Sequence, residues 1–122
     1  MAHFIYEYSA NLTPDELDLS GLMAKMHEQA SASGIFPLKG LRSRAIRCDD
    51  FRVGDGNPDN AFINLSMKVG RGRDENTRLT VGRQLFEVLL SHFDELQRRR
   101  AIAISFEMRE LEEHVKFNHN TL

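Results

Sequence analysis

The chain has 122 residues, 41% hydrophobic and 28% charged, a balance that suits one soluble globular domain with a single core. A net charge of -2 argues against a general nucleic-acid binder, which concentrates positive charge to replace phosphate counterions. Cys48 is the only cysteine, which excludes an intrachain disulfide and a cysteine-built zinc cage and fits a reducing compartment.

In chain order, His3 to Tyr8 is aromatic and β-branched and reads as a first strand beginning almost at the amino terminus. Met1-Ala2-His3-Phe4 has neither the basic nor the long apolar region of a signal peptide, and no apolar run nears the roughly 20 residues a membrane span needs; a cytoplasmic protein with no membrane partner is expected. Thr13-Pro14-Asp15-Glu16 has the form of a capping box with proline at the first helical position, and Ser20 offers a later helix start. Leu19, Leu22, Met23, Met26 and Ala30 then lay one apolar stripe along a helix that Gly34 is placed to end. Arg42 to Asp50 favours a second strand, and Gly54 to Asp59 is dense in turn formers. That loop lacks the spaced acids and closing glutamate of a calcium site.

Ala61, Ile63, Leu65, Met67 and Val69 alternate with Phe62, Asn64, Ser66 and Lys68, giving a third strand with one apolar face. Gly70-Arg71-Gly72-Arg73 turns the chain and lacks the Lys-Ser/Thr ending of a phosphate loop. Asp74 can cap a long helix with Leu85, Phe86, Leu89, Leu90, Phe93 and Leu96 on its apolar face, ending at Arg98-Arg99-Arg100, where positive charge suits the helix dipole. Ile102, Ile104, Phe106 and Met108 form a fourth strand before a polar tail.

The plan is βαβ twice within a single domain spanning 1–122, with halves at about 1–56 and 60–110. Phe4-Ile5 matches Phe62-Ile63, and the same offset carries Arg42 to Arg100 and Ile46 to Ile104, a pattern compatible with internal duplication. A helix between two strands of one sheet makes them parallel neighbours with a right-handed crossover. The resulting α+β fold is a four-stranded sheet with two helices on one face. Apolar strand residues pointing away from the helices would be uncovered in a monomer, so a closed oligomer is expected.

No catalytic triad stands out. His3, His27, His92, His114 and His119 lack the spacing of a hydrolytic metal site, and Asp49 and Asp50, adjacent in a strand, point to opposite faces and cannot share a proton. What remains is a terminal amine at the start of a strand, with Arg42, Arg44, Arg71 and Arg73 beside strand ends or turns. Two converging guanidinium forks would hold a dianionic organic acid in a fixed pose.

Ala2-His3-Phe4-Ile5, Gly34-Ile35-Phe36-Pro37-Leu38, Gly40-Leu41-Arg42-Ser43-Arg44 and Gly70-Arg71-Gly72-Arg73 resemble successive segments of the 5-carboxymethyl-2-hydroxymuconate isomerase family, a branch of the tautomerase superfamily. The resemblance continues through Ala61-Phe62, Leu85-Phe86, His92-Phe93 and Ala103 to Glu107. It implies a homotrimer that needs no cofactor or metal and converts a 2-hydroxymuconate-type dienol to its 2-oxo isomer in bacterial breakdown of homoprotocatechuate and related aromatic acids. It also implies an amino-terminal base, with Arg42 and Arg73 gripping carboxylates and stabilising the developing dienolate. Arg44 and Phe36 are further substrate-binding candidates. The sequence departs from the family at Ala2, where the family carries proline; once Met1 is removed, Ala2 would present a primary amine. Three readings stay open: an isomerase using that amine, a tautomerase-like protein that holds a small carboxylic acid with weak or no turnover, and a structural oligomer.

Overall fold

The computed structural model describes residues 1–122, which run β1 (Ala2–Ser9), α1 (Pro14–Leu17), α2 (Leu19–Ala32), β2 (Leu41–Cys48), β3 (Ala61–Val69), α3 (Glu75–His92), α4 (Asp94–Arg99) and β4 (Ile102–Glu110). The strands form one sheet in the order β2-β1-β3-β4, parallel in the two outer pairs and antiparallel between β1 and β3. This is the expected pair of βαβ units, joined along their first strands. No helix is long and apolar enough to cross a membrane.

Period-two alternation decides the faces. Phe4 and Tyr6 of β1 and Ile63, Leu65 and Met67 of β3 are buried toward the helices, where Leu22, Met26 and Ala30 of α2 meet Val81, Leu85 and Leu89 of α3. The opposite face differs from expectation. Apart from Ile5, Ile46, Cys48, Phe62 and Ala103 it carries polar or charged side chains, because the same alternation sends nearly the whole apolar set to one side. Ser105 Oγ donates to Asn64 Oδ1 (2.6 Å) and Asn64 Nδ2 to Ser66 Oγ (3.2 Å) across this face. Alternation also corrects the repeat alignment. Phe4 faces the helices and Phe62 faces away, so the offset read from the sequence is out of phase with the sheet by one residue.

Of the two helix-start signals in the first half, the Thr13 box operates and Ser20 does not: it lies inside α2, which Asp18 caps instead. Glu16 N–H donates to Thr13 Oγ1 (3.2 Å) and Thr13 N–H to Glu16 Oε1 (3.0 Å), but the box opens only one turn. Asp18, in the left-handed region at φ 40°, ends α1 and caps α2 by accepting from Gly21 N–H (3.2 Å). A Cβ at Gly21 would collide with that carboxylate.

The second helix is not continuous. It breaks at Phe93, where Gln97 Nε2 donates to the carbonyls of Leu90 (3.0 Å) and Phe93 (3.2 Å), the second of which also accepts the Gln97 backbone N–H. His92 beside it is structural: Nε2–H donates to Leu17 O (2.9 Å), and Nδ1 accepts from Lys25 Nζ (3.0 Å).

The basic run after α4 also differs from its sequence reading. Arg98 and Arg99 pair with Asp94 and Glu95 one turn back. Arg100 instead leaves the helix: its Nη1 donates to Glu16 Oε2 (3.2 Å) and Asn11 O (3.1 Å), and its Nη2 to Asp59 O (3.3 Å). It thereby ties α1 to the loop before β3. Arg100→Ala is expected to lower the free energy of unfolding in urea by about 1–3 kcal/mol, the cost of leaving such acceptors unpaired. The Thr13 N–H bond, with smaller help from Arg100, holds the Glu16 carboxyl below its ordinary 4.5, so this contribution is present above that pH and is lost as acid titrates the folded carboxylate.

Candidate active site

Three chain segments meet where β1 begins. Ala2 pairs with Leu41 on one side and Val69 on the other, and His3 pairs with Arg42 and Lys68. The start of β1 therefore lies between the entry to β2 and the exit of β3, and the residue ahead of it reaches the rim. A Cβ built at Gly40 would stand 3.5 Å from the Met1 nitrogen, close enough to cover it. Ala2 itself is 1% exposed beneath Met1.

Arg73 is the most constrained cation at this end of the sheet. Its Nε and Nη2 both donate to Ile35 O (3.1 and 2.6 Å), its Nη1 donates to Gly70 O (2.9 Å), and its guanidinium carbon lies 4.5 Å from the centre of the Phe36 ring. A guanidinium carries five N–H donors, so two remain free for an anion after these bonds. The turn from Gly70 to Arg73 requires Gly72, at φ 120°, a backbone conformation that side chains rarely adopt. Loop and helix connection thus clamp the fork in one orientation.

On the helix-free face, Arg44 Nη1 donates to His3 Nδ1 (3.2 Å), which places the neutral ring's proton on Nε2. Arg42 Nη1 donates weakly to Asn118 Oδ1 (3.4 Å) in the segment after β4. With Lys68 and Lys116 these side chains border a cavity of about 530 Å³. Met1 lies at its edge, and Glu112 is the one acidic residue lining it.

This surplus of positive charge acts on the titrating groups. Partial burial, then Arg73, Lys116 and Arg42 in decreasing order, hold the terminal amine below its ordinary 8.0. Burial, then Arg44, Arg42, Lys68 and the terminal ammonium, hold His3 below its ordinary 6.5. The geometry thus offers a chain-end amine that loses its proton more readily than a free one, among fixed cations able to bind carboxylates.

The structure gathers Ala2, Arg42 and Arg73 around this amine. Arg44 stands further along the open face beside His3, and Arg71 is exposed on the turn. Phe36 is 2% exposed and lies behind Arg73, so it reaches the site only by supporting the guanidinium. Sequence reasoning passed over His3, Lys68 and Lys116. Alternation carried the signal for His3 and Lys68, which share a face with Arg42; Lys116 lies in an aperiodic tail and carried none.

Comparison with known proteins shows the family and the fold. The sequence model of a family described as 5-carboxymethyl-2-hydroxymuconate isomerase matches residues 2–122. The 5-carboxymethyl-2-hydroxymuconate Delta-isomerase of Escherichia coli is 41% identical over 122 residues, covering 100% of this chain and 96% of that protein. The crystal structure of a 5-carboxymethyl-2-hydroxymuconate isomerase from Deinococcus radiodurans R1 superposes with a TM-score of 0.91 at 30% identity, over 98% of this chain and 90% of the other. A fused 4-OT protein described as a symmetric trimer shares the fold, with a TM-score of 0.67 at 12% identity over 97% of this chain and 95% of its own.

Proposed function

The chain belongs to the 5-carboxymethyl-2-hydroxymuconate isomerase family of the tautomerase superfamily, and from that premise we propose that it moves a proton within a 2-hydroxymuconate-type acid, with the amine at Ala2 as the base. The observation that carries this reading is the chain end beside Arg73 and Arg42, where burial and then these cations hold the Met1 amine below its ordinary 8.0.

Removal of Met1 would leave the Ala2 nitrogen at the start of β1. The neutral amine takes the proton from the substrate's 2-hydroxyl. The oxygen electron pair then forms the 2-oxo group, the conjugated double bonds shift, and the ammonium returns its proton to the carbon at the far end of the conjugated system. No electron is gained or lost overall, so the step needs neither oxidant nor reductant. Arg73, already oriented by Ile35 and Gly70, and Arg42 hold carboxylates and stabilise charge as it develops on oxygen; their worth exceeds what it would be in water because the donors are pre-set. The working form is a homotrimer in the cytoplasm, serving the breakdown of aromatic acids. Support for the trimer is the fold shared with the 4-OT protein described as a symmetric trimer.

Ultraviolet assay of the dienol, on protein whose terminus is verified by mass spectrometry, tests the reading. Because the neutral amine is the active form, and the burial and cations that lower the Met1 amine would act on an Ala2 amine at the same chain end, kcat/KM should rise with pH, reach half its maximum below 8.0 and then level off. Verified protein without turnover would sink the isomerase reading; acid binding without turnover would leave the binding one.

A further inference from the structure

The twelve residues after β4 form neither helix nor strand, yet they are fastened across the open face of the site. Leu111 N–H donates to Val69 O (2.7 Å), Asn118 Oδ1 accepts from Arg42, and Asn120 Nδ2 donates to Lys39 O (2.7 Å). Apolar burial does not hold this segment: Val115 is 70% and Phe117 88% exposed. Polar contacts alone fix its course, and that course carries Lys116 back over the end of β3, where a Cβ at Gly70 would come within 2.9 Å of its Nζ.

Lys116 makes no ion pair or hydrogen bond within the chain, and neither does Lys68. Together with Arg42 and Arg44 they surround the cavity against the single carboxylate of Glu112. Mutual repulsion among these cations is screened by mobile ions and is relieved most by a bound anion of several charges. Two carboxylates of a muconate are matched by the forks of Arg73 and Arg42. A carboxymethyl branch adds a third carboxylate, and the cation without a partner beside the amine is Lys116.

We propose that Lys116 is a specificity-determining residue that takes this third carboxylate and so favours tricarboxylate dienols over dicarboxylate ones. The proposal rests on the isomerase reading above and assigns one side chain of that site to the carboxymethyl branch. A lysine fits this role because its ammonium is a point charge on a flexible stem, able to reach a branch whose position is not fixed by the planar dienol.

Kinetics with 5-carboxymethyl-2-hydroxymuconate and with 2-hydroxymuconate, on wild type, Lys116→Gln and Lys116→Arg, test it. On the high-pH plateau, where the amine is neutral in every variant, Lys116→Gln should raise the KM for the tricarboxylate about tenfold with kcat nearly unchanged, as for loss of one charge-assisted contact. The KM for the dicarboxylate should stay, and Lys116→Arg should restore most of the difference. An equal rise for both substrates, or none, overturns the proposal. Titration calorimetry with propane-1,2,3-tricarboxylate and glutarate separates this outcome from failure of the isomerase reading. Wild type should prefer the tricarboxylate and Lys116→Gln should lose that preference even if no dienol is turned over; equal affinities in wild type overturn the proposal.

Discussion

With Met1 retained, turnover should fall about 10²–10⁴-fold below that of a chain beginning at Ala2, the range expected for loss of a positioned general base. One strand residue spans about 3.3 Å, so keeping Met1 moves the amine by more than the hydrogen-bond reach a base requires, and a misplacement of that size removes the near-attack geometry. The side chain of Met1 would also stand where the substrate must come. Cleavage of a fusion protein immediately before Ala2 or before Met1, with intact masses verified, supplies both forms for the same ultraviolet assay. Equal rates would remove the Ala2 amine from the mechanism. In the processed form, Ala2→Pro should raise kcat, because a ring nitrogen has one orientation where a primary amine rotates. The terminal position spares proline its usual penalty in a strand.

Arg73→Ala should lose about 10²–10³-fold in kcat/KM, the usual result of deleting a pre-set donor at a developing negative charge. It should also destabilise the fold by about 1–3 kcal/mol, because the carbonyls of Ile35 and Gly70 would lose their partner and the Phe36 ring its stacked cation. Urea unfolding and kinetics on the folded variant separate the two losses. A third readout follows from electrostatics. After burial, Arg73 is the strongest influence lowering the Met1 amine, and it would act on an Ala2 amine at the same chain end, so its removal should shift the midpoint of the pH profile upward toward 8.0. Arg73→Lys keeps the charge and loses the fork; it should hold the midpoint near that of wild type while recovering little of the stability. An unchanged kcat/KM in folded Arg73→Ala would contradict a catalytic role.

The sheet was largely legible in the sequence because its cause is local. Alternation from Ala61 to Val69 requires no knowledge of partners, and the Thr13 box and the Asp74 cap are set by residues three apart. Features that failed depend on distant contacts. Phe93 and Leu96 continue a helical pattern across the break, and only Gln97 folding back on two carbonyls marks it. Arg100 reads as a dipole partner until Glu16 and Asn11 are brought beside it. The same holds at the site. Arginine chemistry pointed to Arg73 as a carboxylate fork, but three of its bonds go to backbone carbonyls and its stacking ring is Phe36, a residue read from sequence as contacting substrate. Lys116 became visible only when the tail was followed across the sheet.

The two βαβ units give the sheet two similar corners, one where β1 starts and one where β3 starts. At the second, the nitrogen of Ala61 is an ordinary amide, bonded to Ala101 O at 2.9 Å, and an amide nitrogen has no useful basicity. What distinguishes the corners in the isomerase reading is not a side chain but the presence of a free end. Chemistry of this kind can be switched off by acylation or by any leader peptide left attached, without altering one residue of the core. A scaffold whose reactive group is its own terminus therefore keeps folding and reactivity under separate control, the first written in its interior and the second in how the chain is trimmed.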